Sequence, residues 1–156
     1  VLPKYPDWQW DLYGTGDTLD EIRKKIEEYG LEKQLILKGN VKDVYQVYGD
    51  YAFLVLPSYR EGLPLVLLEA KALGLPMISF DITTGPREII NEGEDGYLIP
   101  PYHIEEMAAK IETLIIDEKQ RILFSKNTEK GIEKFCKRRI YSEWEELIET
   151  LCGGEE

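Results

Sequence analysis

Glu61 and Glu69 stand eight residues apart around the otherwise apolar run Gly62-Leu63-Pro64-Leu65-Val66-Leu67-Leu68. Two carboxylates framing a turn can do general acid–base work or grip hydroxyl groups. Glu61 follows Pro57-Ser58-Tyr59-Arg60 at the end of a strand pattern, and Glu69 lies in a helical pattern that runs through Ala70-Lys71-Ala72-Leu73 and ends near Gly74-Leu75-Pro76. In open α/β sheets, ligands bind beyond the carboxyl ends of strands, where helix N-termini offer N–H groups to phosphate. Without any ligand, Glu61 is also the acid a helix dipole favours. Glu69, flanked by Leu68 and Ala70, needs a partner if buried, and a ribose with two adjacent hydroxyls would supply one. Arg60 and Arg87 are the cations best placed near such a pocket; each can face phosphate or form a structural pair with Glu61 or Glu88.

Three further turns follow strand patterns: Gly14-Thr15-Gly16, Gly39-Asn40 and Thr83-Thr84-Gly85-Pro86. A parallel sheet would bring them to one edge with Glu61-Gly62, although glycine at such a turn is ordinary. The Gly14 and Gly16 pair lacks the third glycine of a dinucleotide fingerprint, and no P-loop motif occurs. His103 reads as a surface or capping residue at a helix start rather than a metal ligand or base. Asp81 after a strand would suit a flavodoxin-like phosphoacceptor, but the acidic cluster and late lysine of such receivers are not evident.

The elements that must position these residues alternate along the chain. Trp8–Tyr13 reads as a strand, followed by a helix capped by Asp17 or Thr18, facing inward with Leu19, Ile22, Ile26 and Tyr29 and ended by Gly30. Gln34–Leu37 is a strand, residues 43–48 a short helix, and Ala52–Leu56 a strand covered on both faces. Met77–Phe80 and Gly96–Pro100 are strands, with Pro86 opening a helix between them. A helix from His103 turns Met107, Ala108, Ile111, Leu114 and Ile115 inward, and helices over 120–130 and 139–151 follow. The expected class is α/β: a Rossmann-like parallel sheet of βα units with right-handed crossovers and a helical tail capping one side. No repeat or linker divides residues 1–156, so one domain is expected.

Thirty acids against 19 bases give a formal charge of −11, which argues against a nucleic-acid binder. Lys137-Arg138-Arg139 is surrounded by Glu133, Glu143, Glu145 and Glu146 and reads as a solvated helix face. No transmembrane run or signal-peptide start is evident, and Cys136 and Cys152 lack CxxC spacing, so a reduced cytoplasmic setting is expected.

From Leu54 to Pro100, VLPSYREGLPLVLLEAKALGLPMISFD and then TGPREIINEGEDGYLIPP resemble the C-terminal nucleotide-sugar-binding domain of family 4 retaining glycosyltransferases of GT-B fold. DLYGTGDTLDEIRKKIEEYGLEKQLILKGNVKDVYQVYGDYAFLVLPS matches upstream, so the resemblance covers most of the chain, from the E-x7-E spacing through the GxP strand to the GPREII helix. It is closest to members that build capsule, lipopolysaccharide or teichoic-acid glycans from UDP-sugars.

The resemblance implies a transferase that moves a hexose or N-acetylhexosamine to a polysaccharide or lipid-linked acceptor with retention, without a cofactor or metal. Glu61, the implied catalytic residue, would bind a donor-sugar hydroxyl, and Glu69 the ribose hydroxyls. Arg60, Gly62, Leu63, Pro64 and Leu65 would lie at the diphosphate, Gly14 and Gly16 would line the same cleft, and Asn40, Val41 and Lys42 would sit where the family's base-contacting loop runs. Leu63-Pro64 replaces the family's frequent Phe-Gly, and Pro64 has no N–H for phosphate. The family's usual opening strand and helix, with their GR and KG motifs, and its acceptor-binding N-terminal domain are not in this sequence. A donor-binding piece of a longer enzyme is therefore expected, at most peripheral at the inner face of the membrane, with a helix over 132–151 at its end. A nucleotide-sugar-binding subunit that needs a partner chain and a GT-B sugar-nucleotide epimerase are the alternatives.

Overall fold

The computed structural model describes residues 1–152, which pack as two compact units, Val1–Val47 and a second that starts at Tyr48. Every hydrogen-bonded strand pair in either unit is parallel, as the alternation of strands and helices predicts.

In the first unit, β1 (Trp10–Tyr13) pairs with β2 (Leu35–Gly39), and α1 (Leu19–Glu28) crosses between them. The strand starts at Trp10 rather than Trp8, because a 3-10 turn over Leu2–Lys4 and a turn that bonds Trp8 N–H to Tyr5 C=O occupy the preceding chain. The Gln34 side-chain amide lies within 3.0 Å of the Leu2, Tyr5 and Trp8 carbonyls and anchors that segment to the start of β2. Pairing shifts between Leu12 and Tyr13, so that Tyr13 faces Gly39 and Lys38 is left out of the register. Thr18 occupies the N-cap of α1 without a side-chain cap. Only Ile26 of the expected inward face is buried; Ile22 and Tyr29 are exposed, since a two-stranded sheet offers little surface to cover a helix stripe.

The second unit carries the sheet β3-β4-β5, formed by Leu54–Leu56, Met77–Phe80 and Gly96–Ile99. The central β4 is buried at every position. By contrast, β3 is half-buried rather than covered on both faces, because it lies at the edge of this sheet. α2 (Leu65–Ala72) links β3 to β4, and α3 (Pro86–Ile89) lies between β4 and β5 with Pro86 in its first turn. α4 (Ile104–Ile116) buries Met107, Ile111, Leu114 and Ile115, four of the five residues expected inward. α5 (Glu118–Asn127) is capped by the Asp117 carboxylate, which accepts from Gln120 N–H, and it buries Phe124 edge-on against Tyr97.

Two corrections concern the tail. Residues 132–135 form a 3-10 turn and Cys136 is extended, so α6 is confined to Lys137–Cys152. α6 buries none of its residues, so the part of the helical tail that covers the sheet is α4, which packs against β4 and β5. Similarly, the short helix expected over 43–48 is two 3-10 turns, Val44–Gln46 and Tyr48–Asp50.

Under α2 the chain buries a complete ion pair. Lys71 and Asp95 have fully buried side chains in contact, and Asp95 also accepts from the Asn91 N–H and side-chain amide at 2.9 Å. Such a pair is tolerated where the remaining lone pairs are met, as they are here.

Candidate functional site

The first unit holds Gly14, Gly16, Asn40, Val41 and Lys42, and the second holds Arg60 through Leu65 and Glu69. Within the first, the Gly14 N–H donates to the Gly39 carbonyl at 2.8 Å, which draws the turn after β1 against the turn after β2. Gly14, Gly16, Asn40 and Lys42 are exposed and Val41 half-buried, so these two turns offer open backbone at the strand ends.

In the second unit, the segment after β3 carries Arg60 and Glu61 and leads into α2. Pro64 is the N-cap, and no side chain caps the helix. The Pro64 carbonyl accepts from Leu67 N–H at 3.0 Å, and the helix end is ringed by the exposed Leu63, Leu65 and Val66. An uncapped helix N-terminus directs N–H groups and a partial positive charge outward. Pro64 withdraws one donor, but at the N-cap position the N–H groups of the following first turn remain.

The loop after β4 shapes this segment. Thr84 Oγ1 donates to the Glu61 carbonyl at 2.8 Å. Gly85 adopts φ 95°, and a Cβ there would stand 2.5 Å from both the Gly62 oxygen and Pro64 Cδ. Only glycine permits this approach, so the Glu61 turn and the Gly85 turn fit together backbone to backbone.

Glu69 lies half-buried on α2 and accepts from the Tyr48 hydroxyl at 2.9 Å. Tyr48 is buried and belongs to the 3-10 turn that precedes β3. The partner that sequence reasoning sought in a ribose is therefore met in part by a protein hydroxyl, which fixes the carboxylate's direction. Nothing in the motif spacing identified Tyr48 as that partner.

The two arginines part company. Arg60 is exposed, and no ion pair forms between it and Glu61. Arg87 pairs with Asp81, through Nε to Oδ1 at 2.9 Å and Nη2 to Oδ2, rather than with Glu88. Hydrogen bonding and charge from Asp81 hold the Arg87 guanidinium above its ordinary pKa. Glu88 instead accepts from the Gly85 N–H at 3.4 Å, which satisfies the backbone donor at the N-cap of α3. His103 stands exposed at the N-cap of α4 beside Glu106, at 3.4 Å, consistent with the surface reading. Arg139 pairs with Glu143 at 2.7 Å on a solvated face, as expected for the basic run.

The family profile described as glycosyl transferases group 1 matches residues 1–131. The chain belongs to this family. Among curated relatives, an exopolysaccharide phosphotransferase of Streptomyces coelicolor is 36% identical over 97% of this chain and 16% of its own length. Among solved structures, a mutant of Staphylococcus aureus TarM in complex with fondaparinux, α-GlcNAc-glycerol and UDP is 33% identical, with a TM-score of 0.88, over 94% of this chain and 30% of that one. The pneumococcal O-GlcNAc transferase GtfA in complex with UDP and GlcNAc is 29% identical, with a TM-score of 0.84, over 97% of this chain and 31% of that one. The chain thus spans less than a third of the length of each of these proteins, and its fold is the Rossmann-like half of a GT-B glycosyltransferase. Among the described residues, no helix is long and apolar enough to cross a membrane.

Proposed function

We propose that this glycosyltransferase chain binds the donor, a UDP-sugar, for retaining transfer of a hexose or N-acetylhexosamine to a polysaccharide or lipid-linked acceptor. The observation that carries the reading is the turn from Glu61 to Glu69: an uncapped α2 N-terminus between two carboxylates, the second aimed by Tyr48. A diphosphate suits the open N–H groups, and an adjacent pair of ribose hydroxyls suits the oriented carboxylate. Glu61 meets a hydroxyl of the donor sugar, and Arg60 and the exposed Leu63 and Leu65 border the diphosphate. In the first unit, the exposed turns that carry Gly14, Gly16, Asn40, Val41 and Lys42 are the candidates for contact with the sugar and base. Developing charge on the leaving UDP is met by the helix N-terminus while the acceptor attacks from the same face.

The relatives with UDP in their complexes support this choice of nucleotide. The acceptor-binding half and the cytoplasmic, membrane-peripheral setting belong to the same proposal. The test is a UDP titration followed by amide NMR. Shifts are expected at Gly62 to Glu69, with affinity reduced by roughly tenfold in Glu69→Ala, the loss of one charge-assisted contact. Shifts that map away from Gly62 and Glu69, with unchanged affinity in Glu69→Ala, would overturn the assignment. Residues 1–156 alone are expected to bind UDP-sugar weakly and to transfer nothing.

A further inference from the structure

A second cleft, of about 480 Å³, opens beyond the strand ends of the second unit, and neither Glu61 nor Glu69 lines it. Its lining includes Tyr59 from the segment after β3, Asp81 and Thr83 from the segment after β4, Arg87 from α3, and Pro101 and Tyr102 from the turn after β5. Three features set it apart from ordinary surface. Tyr59 stacks on Phe80 at 5.3 Å and on Tyr102 at 4.5 Å, with ring planes within 17° of parallel. Yet Tyr102 remains 68% exposed and Tyr59 48% exposed, so much aromatic surface faces water. Tyr102 is also the one non-glycine residue with positive φ, 69°, among the described residues. A side chain in that conformation is unfavourable and persists where its surroundings over-determine it.

Beside this platform, Arg87 and Asp81 form a two-bond pair that leaves further guanidinium N–H groups and carboxylate lone pairs for a ligand. The charges cancel, so the pair offers a phosphate no net attraction. A neutral hydroxyl both donates and accepts, and so can bridge the pair without breaking it. A pyranose combines the two requirements, with a C–H face for the ring and vicinal hydroxyls for the pair. We infer that the Tyr59–Tyr102 cleft is a carbohydrate subsite, separate from the UDP-sugar groove, that holds a neutral sugar ring of a glycan.

The inference deepens the transferase reading, and its failure is separable because UDP and glycan are titrated independently. The purified protein is applied to an array of bacterial surface oligosaccharides, and the strongest hit is measured by calorimetry alongside UDP. Tyr102→Gly removes the ring while relieving the backbone strain, so it retains the fold; it is expected to weaken the glycan by about tenfold and leave UDP within about twofold. Asp81→Asn should weaken the glycan and spare UDP in the same way. Absence of any hit above the Tyr102→Gly background, or glycan affinity unchanged in Tyr102→Gly, overturns the proposal. Parallel loss of glycan and UDP affinity also overturns it, since both ligands would then share one groove. Glycan binding without UDP binding upholds the subsite and sinks the donor assignment alone.

Discussion

Lys71–Asp95 and Arg87–Asp81 are the same chemistry in opposite settings. The first is sealed under α2 with both side chains fully buried, while Arg87 of the second remains 67% exposed beside an open cleft. Burial makes the first a structural commitment: with one partner removed, an uncompensated charge is left in a low-dielectric interior. Exposure makes the second nearly neutral for folding and leaves it free to meet a ligand. An ion pair in a sequence therefore says little until its solvent is known.

The comparison can be broken most directly at Asp95. Asp95→Ala is expected to lower unfolding free energy by about 3–5 kcal/mol in urea denaturation, by stranding Lys71. Asp81→Ala, measured alongside, should leave the transition midpoint nearly unchanged; equal losses would erase the distinction. Gly85→Ala probes the ground between the two pairs. Its φ of 95° and the contacts at 2.5 Å predict a loss of about 1–3 kcal/mol, with amide shifts spreading to Glu61 and Gly62.

Tyr48→Phe removes a hydrogen bond to a half-buried carboxylate and is expected to cost about 1–2 kcal/mol in thermal denaturation. It should also weaken UDP, because Glu69 loses its orientation; weakened stability with unaltered UDP affinity would leave Tyr48 a purely structural role. The smallest effect concerns Tyr97, whose hydroxyl titrates above its ordinary value through burial first, then the charges of Glu92 and Asp117. A raised folded-state value means this contribution is complete below the unfolded pKa and is lost as pH climbs through the folded one. Stability should therefore fall above about pH 10, and less steeply in Tyr97→Phe.

The second unit was the more legible in sequence. Met77–Phe80 and the face of α4 follow from apolar runs and helical spacing that burial enforces. Where burial is weak, the pattern misled: Ile22 and Tyr29 keep helical spacing on α1 without a surface to cover, and residues 43–50 settle into 3-10 turns. At the site, the carboxylate spacing and the α2 start were readable. The Tyr48 to Glu69 bond was not, since it joins residues 21 apart through a turn no local pattern specifies. Arg87 reads in sequence as free to face phosphate or to pair with Glu88, because adjacency in sequence stands in for the loop geometry that delivers Asp81 instead.

The buried Lys71–Asp95 pair has a directional consequence. Lys71 lies two positions beyond Glu69, about 200° around the helix at 3.6 residues per turn. Pinning Lys71 to the loop before β5 thus sets the rotation of α2 about its own axis, like a key in a shaft, and turns the opposite side of the helix, with Glu69, toward Tyr48. A slip of α2 by one residue would swing that carboxylate through about 100°. The aim of Glu69 is thereby set from inside the core, by a lysine that never meets the ligand.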